Sequence, residues 1–341
     1  MAPARGEALG AAHAELLREA SEHMLALEAG VSASARDDHE ACCHRFLEAL
    51  QGSNLALHDE VAGMARASGV SERMVAALNL LGDSPLGLAT ADEAMMGTST
   101  LIHAGGDDGV VMAGAVNGGV LAWGVTATIH EERGRRIALL RGPGGLGWAG
   151  LNDAGLTVMA AHPRWPSVNA SGEAWPVLLR QSLTCERASI ARELLRRSPR
   201  RGGRYWLLSD GAESFGIESA PDQLAVTRRG AKAAHVHTDH FFDVGLRSRE
   251  REPVSPRSFR RMELSSSIYV QRQPKGPEAM FEFLAELDRT YGATGDAGPH
   301  DSDLERFGPS VQFVAQCEQR SLLIFAGCEG SREIQRLDVS P

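Results

Sequence analysis

Between residues 86 and 98 the chain changes structural type, and that change limits the folds open to it. The first ninety residues read as helix, with apolar side chains at three- and four-residue spacing over Ala11–Leu27, His39–Leu50 and Ala56–Ala67. Gly69 closes the third of these, and Ser71 opens a short helix over Glu72–Leu81. Strand signals are almost absent there. From Thr98 onward, apolar β segments alternate with Gly/Asp turns: Ser99–His103, Val110–Ala115, Val120–Ile129, Arg136–Arg141 and Leu156–Ala160. A helical block over Pro176–Arg197 interrupts them. Strands resume at Tyr205–Ser209, Ser214–Ser219, Leu224–Arg228 and Ala233–His237. Helices at Arg257–Ser266 and Gly276–Tyr291 precede a last hairpin, Val311–Cys317 with Leu322–Gly327. Long antiparallel runs broken by two helical blocks specify a layered α+β fold rather than a doubly wound one.

Within 341 residues there is ample apolar material for one large core, at 43% hydrophobic and 23% charged. Net charge is 35 − 44 = −9, which argues against nucleic acid as a partner, since phosphate binding needs a basic surface. The basic runs Arg196–Arg204 and Arg247–Arg261 are expected on solvated helix ends or loops. No apolar stretch reaches the length of a membrane helix, so no membrane partner is expected. The amino terminus, MAPARGEALGAAHAELL, has no apolar signal region. Five scattered cysteines (Cys42, Cys43, Cys185, Cys317, Cys328) show no metal-binding pair and fit inert thiols in a reducing cytoplasm. The sequon at Asn169 reads as chance on the same grounds.

The junction itself reads Met95-Met96-Gly97-Thr98-Ser99-Thr100. A Gly–Thr bond at a helix-to-strand boundary has the parts that self-cleavage requires. Glycine tolerates strained backbone geometry, and the following hydroxyl can attack the preceding carbonyl. Hydrolysis of the resulting ester leaves Thr98 with a free α-amine, whose unperturbed pKa is about 7.7–8.0. That amine can act as general base for the hydroxyl of the same residue. As a dipeptide alone, Gly97-Thr98 reads as a plain strand start.

Other segments resemble the isopenicillin-N acyltransferase (acyl-coenzyme A:6-aminopenicillanic acid acyltransferase) family, in family order. His58–Leu81, HDEVAGMARASGVSERMVAALNLL, is similar to the end of that family's propeptide. Gly97-Thr98-Ser99-Thr100 stands where the family has Gly-Cys-Thr, cut between Gly and Cys. Gly150–Leu156 resembles its "G-x-N-x-x-G-L", His237-Thr238-Asp239-His240 its "H-T-N-H", and Arg260-Arg261-Met262-Glu263 its "R-x-x-R-M-E". The closing hairpin near Gly327 fits as well, so the similarity spans residues 55–330. The resemblance implies an N-terminal-nucleophile (Ntn) fold, a four-layer αββα sandwich, with residues 1–97 as a helical propeptide or α subunit and 98–341 as the catalytic β subunit. It implies cleavage of a small-molecule amide, or transfer of its acyl group to an amine, through an acyl-Thr98 ester. No metal, cofactor or prosthetic group is implied. The partners implied are a small amide or an acyl donor such as acyl-coenzyme A, and two fragments that stay associated.

The chain departs from that pattern at polar positions. Thr98 replaces the family's cysteine, and a hydroxyl depends more on its amine base than a thiol does. Asp239 stands where the family carries the asparagine associated with the oxyanion hole, and an ionised carboxylate donates no hydrogen bond. The family's acidic residue after the second strand is missing, Asn117 being the nearest candidate, and His162 falls near another absent asparagine. These losses motivate an alternative: a catalytically weakened or inactive relative acting as a binding or scaffold protein. The remaining candidates carry structural readings. His237 and His240 satisfy local hydrogen bonds rather than bind metal; Trp148, Trp165 and Trp175 pack in the core. Arg260 and Arg261 brace a helix, Asn152 builds its turn, and Gly142–Gly147 lacks the spacing of a phosphate loop.

Overall fold

The computed structural model describes residues 2–89, 98–106, 109–117, 125–230, 234–251, 256–293, 311–326 and 334–340. The N-terminal region is helical as expected, with α1 (Ala2–Ala12), α2 (Ala14–Ala29), α3 (Ala33–Ser53), α4 (Leu55–Ser68), α5 (Glu72–Asn79) and a short α6 (Pro85–Ala89). Local chemistry sets most of the boundaries. Ser32, Asn54 and Ser71 cap α3, α4 and α5 by accepting N–H groups of Ala35, Leu57 and Met74, and left-handed Gly69 ends α4. The first helix is a departure. It was not separable in the sequence because Gly6 and Gly10 replace an apolar stripe. Those glycines bring α1 against α4 closely enough that a Cβ on Gly6 would collide with the Glu60 carbonyl oxygen.

The strands form two sheets in which every pairing between strands is antiparallel. One has the order β10-β1-β2-β11-β12-β13, with β1 (Thr98–Gly106), β2 (Gly109–Asn117), β10 (His235–His237), β11 (Val311–Gln316), β12 (Ser321–Ala326) and β13 (Ile334–Asp338). The other runs β3 to β9 in chain order: β3 (Thr126–Glu132), β4 (Arg135–Arg141), β5 (Ala149–Asn152), β6 (Thr157–Ala161), β7 (Arg204–Ser209), β8 (Ser214–Ser219) and β9 (Leu224–Arg229). Two strands escape sequence reading. β5 is only AGLN, and β13 is an exposed edge strand that owes its extended form to pairing with β12. The block expected over Pro176–Arg197 is two helices, α7 (Trp175–Leu183) and α8 (Ala188–Arg197); α7 opens with Pro176 in its first turn.

The inner faces of both sheets merge into one core containing Leu101, Met112, Leu151, Met159, Leu207 and Phe313. Helices α7 and α8 cover the outer face of the seven-stranded sheet. After a one-turn α9 (Val244–Arg247), the outer face of the six-stranded sheet packs through Ile102, Ala113, Val314 and Phe325 against α10 (Pro256–Arg272) and α11 (Gly276–Ala293). The result is a mixed α+β sandwich layered helix–sheet–sheet–helix, in agreement with the αββα expectation. No helix among the described residues is long and apolar enough to cross a membrane.

The N-terminal helices are bound to this sandwich by buried polar contacts. Glu60 of α4, fully buried, receives Arg141 Nη1 of β4 at 2.7 Å, Arg180 Nη1 and Nη2 of α7 at 3.3 Å, and Arg5 Nε of α1 at 2.8 Å. Burial would raise the Glu60 carboxyl, but Arg180, Arg141 and Arg5 hold it well below the usual carboxylate range. Arg180 also binds Glu132 of β3, whose carboxyl lies at about 2: burial raises it, and His130 and Arg180 more than reverse that. Farther on, Asn79 Nδ2 donates to the Gly144 carbonyl, and Asn79 Oδ1 accepts the Leu146 N–H at 2.7 Å. Gly144 has φ +69°, and a Cβ there would meet Leu17 at 2.8 Å. The glycine run 142–147 is therefore a seat for the N-terminal helices.

Candidate active site

Strands β2, β1 and β10 are neighbours, and antiparallel pairing brings three sequence candidates to one end of their sheet. Thr98 is the first residue of β1 and pairs in register with Asn117, the last residue of β2. On the other side of β1, Leu101 pairs with His237, the last residue of β10. The turn that carries Asp239 thus leaves β10 at the end where β1 begins. Gly97 lies outside the described residues, as do the side chains of Thr98 and Asn117.

Asp239 is held as a hydrogen-bond acceptor. Its Oδ2 takes Arg261 Nη2 at 2.8 Å in an ion pair, and its Oδ1 faces the His162 backbone N–H at 3.4 Å. Arg261, on α10, is nearly buried. Its guanidinium ties α10 to the turn beside the start of β1. The ring of His162 packs edge-on against Trp175 at 4.9 Å between centroids. Burial, with Arg204 nearby, keeps that imidazole well below its usual range, and hence neutral.

A second carboxylate, absent from the sequence reading, organises the same turn. Glu218 of β8 is fully buried and accepts the backbone N–H of Phe242 at 2.6 Å and of Asp243 at 2.7 Å. His237 Nε2 lies 2.9 Å from its Oε1. Burial pushes the His237 imidazole down to about 3, so the neutral ring donates to Glu218. Its plane stacks on Tyr205 with centroids 3.5 Å apart. Burial raises the Glu218 carboxyl, while the Asp243 and Phe242 N–H groups act the other way. Glu250 completes the set, accepting the Phe241 N–H at 3.3 Å; burial pushes its carboxyl up to about 7. His240 bonds Ser258 Oγ at 2.8 Å through Nδ1. A lone acid in an apolar strand buried on both faces, SFGIES, was the available signal for Glu218.

The other candidates resolve into structural roles. Asn152 Oδ1 accepts the N–H groups of Ala154 and Leu156, and its Nδ2 donates to the carbonyls of Leu183 and Cys185. Trp148, Trp165 and Trp175 are buried. Burial drives the thiols of Cys43 and Cys317 up to about 12, which removes thiolate nucleophilicity at neutral pH. Cys328 lies outside the described residues. The basic run 196–204 is a correction. Arg196 and Arg197 are exposed, but Arg200, Arg201 and Arg204 are buried. Arg200 and Arg201 bind backbone carbonyls of Ala220, Leu195, Gly172 and Ala170. Arg204 lies 2.9 Å from Asp83 of the N-terminal region. A groove of about 400 Å³ between α3 and residues 170–177 contains none of the candidate site residues.

No protein-family model matches the chain, and no curated protein matches it significantly. Solved structures do. Penicillin V acylase from Agrobacterium tumefaciens aligns with 13% identity and a TM-score of 0.46, over 70% of this chain and 86% of that one. Two variants of conjugated bile acid hydrolase from Clostridium perfringens align with 11% and 12% identity and TM-scores of 0.44 and 0.43. They cover 71% and 70% of this chain and 92% of theirs.

Proposed function

We propose that the chain is a self-cleaving Ntn-type amidohydrolase whose nucleophile is Thr98. The observation that carries this reading is the meeting, at one sheet end, of the Thr98 start of β1, its register partner Asn117 and the Asp239 turn. The Thr98 hydroxyl attacks the Gly97 carbonyl, the acyl group moves from nitrogen to oxygen, and water hydrolyses the ester. Gly97 leaves as a carboxylate and Thr98 gains a free amine. In turnover that amine takes the hydroxyl proton as the oxygen attacks a small amide, then returns it to the departing amine. Water resolves the acyl-Thr98 ester to hydrolyse the substrate; an amine acceptor, in place of water, makes the same enzyme an acyltransferase.

Asn117 and backbone N–H groups are the donors assigned to the oxyanion, where one donor is worth about 2.7–4 kcal/mol. Asp239, an acceptor toward Arg261 and the His162 N–H, is assigned to holding Arg261 rather than to the oxyanion. Residues 1–97 and 98–341 then form two fragments joined by the Glu60, Asn79 and Asp83 contacts. N-terminal sequencing and intact mass of the purified protein test the reading. A break between Gly97 and Thr98 is expected, and a chain still intact after prolonged incubation sinks it. The acceptor role of Asp239 toward Arg261 and the His162 N–H favours one rival, a scaffold that keeps the fold and binds without turnover. Thr98→Ala separates the two: it abolishes cleavage and activity in the first case and leaves ligand binding unchanged in the second.

A further inference from the structure

After β10 the chain turns through Thr238–Asp243, and the backbone of this turn is tied to the opposite sheet. Consecutive N–H groups, of Phe242 and Asp243, converge on the two oxygens of Glu218, at 2.6 and 2.7 Å. Convergent backbone N–H groups of this kind make an anion-binding concavity, here filled by a side chain of the same molecule. His237, at the start of the turn, bonds the same carboxylate at 2.9 Å, so both ends of the turn hang on one residue. The His237 ring is clamped by its stack on Tyr205 of β7 and cannot swing to another acceptor without losing that contact. Asp239 sits between these anchors, its carboxylate on Arg261.

We propose that Glu218 is a positioning residue for the reaction at Thr98: by holding both ends of the 237–243 turn, it keeps Asp239 and Arg261 beside the start of β1. The inference rests on Thr98 being the nucleophile. Glu218 touches no reacting atom; it acts through backbone geometry, from the facing sheet. Its place in β8 and in the sandwich core by itself calls for an apolar residue; what the acid serves is the Phe242 and Asp243 N–H groups and His237, all belonging to the turn.

The readout is the chain's own cleavage, which needs no external substrate. Full-length precursor made by cell-free translation is followed in time by mass spectrometry, and hydrogen exchange of the purified chain is read over 238–243. In Glu218→Gln, the amides of Phe242 and Asp243 should exchange at least about tenfold faster, and scission at Gly97–Thr98 should slow by at least about tenfold. Glu218→Asp keeps the charge but withdraws it, and should recover part of the rate; it also serves if the glutamine variant does not fold. A purely structural Glu218 would lower the melting temperature and leave the cleavage rate per folded chain unchanged, and that result overturns the proposal. Unchanged exchange over 241–243 overturns it too. A wild-type chain that does not cleave overturns the Thr98 reading itself, before any variant is compared.

Discussion

Asp239 and Glu250 show how burial decides what a carboxylate near this site can do. Asp239 shares Arg261, a nearly buried guanidinium. Replacing it by asparagine removes a charge that Arg261 faces, so Asp239→Asn should lower stability by about 2 kcal/mol in denaturant melts. An unchanged or raised midpoint would refute this account of the pair. Burial pushes the Glu250 carboxyl up to about 7, against about 4.3 for an unperturbed glutamate. The folded chain therefore holds this proton more tightly than the unfolded chain between those values. Its stabilising contribution is complete below about pH 4.3 and is lost as pH rises through 7. Glu250→Gln should match the wild type near pH 4 and exceed it by about 3–4 kcal/mol at pH 8; a difference independent of pH would exclude this. Neither partner is near its acid in sequence. Asp239 stood out through its motif, whereas Glu250 carried no signal, because a solvated glutamate on a loop reads the same way.

Helix α4 carries two kinds of ion pair that the sequence does not distinguish. Arg66 meets Glu7 in the open, with both side chains more than half exposed. Glu60, two turns earlier, is fully buried beneath three arginines. Glu60→Gln leaves Arg141 and Arg180 buried without their shared counter-charge and should cost about 3–5 kcal/mol. Arg66→Ala should cost no more than about 1 kcal/mol. Chemical denaturation of both variants checks the contrast, and equal effects would remove the latch from the account. The helix period of α4 was legible because it depends on the spacing of its own residues. Its buried acid was not, since Glu60 falls in a stretch where a glutamate is ordinarily solvated.

At the scale of the whole molecule, the two proposed fragments share one core and one set of buried charges. Once cut after Gly97, they should run as two bands on a denaturing gel yet elute together at the full 36.5 kDa in native gel filtration. Separate elution would show that the Glu60, Asn79 and Asp83 contacts do not hold them. The same division between local and distant causes separates what could be read early from what could not. Local periodicity and turn chemistry sufficed for the helical first third, the strand-rich remainder, the α+β layering and a strand opening at Thr98. Those features depend on residues within one or two turns of each other. Tertiary structure alone decided that α1 packs on α4, that AGLN and the exposed β13 are strands, and which charges meet. Arg141 and Arg180 lie 81 and 120 residues from Glu60, and Glu218 lies 24 from the Phe242 amide it binds. A buried charge takes the partner that sheet stacking delivers to it, and no local pattern encodes that choice.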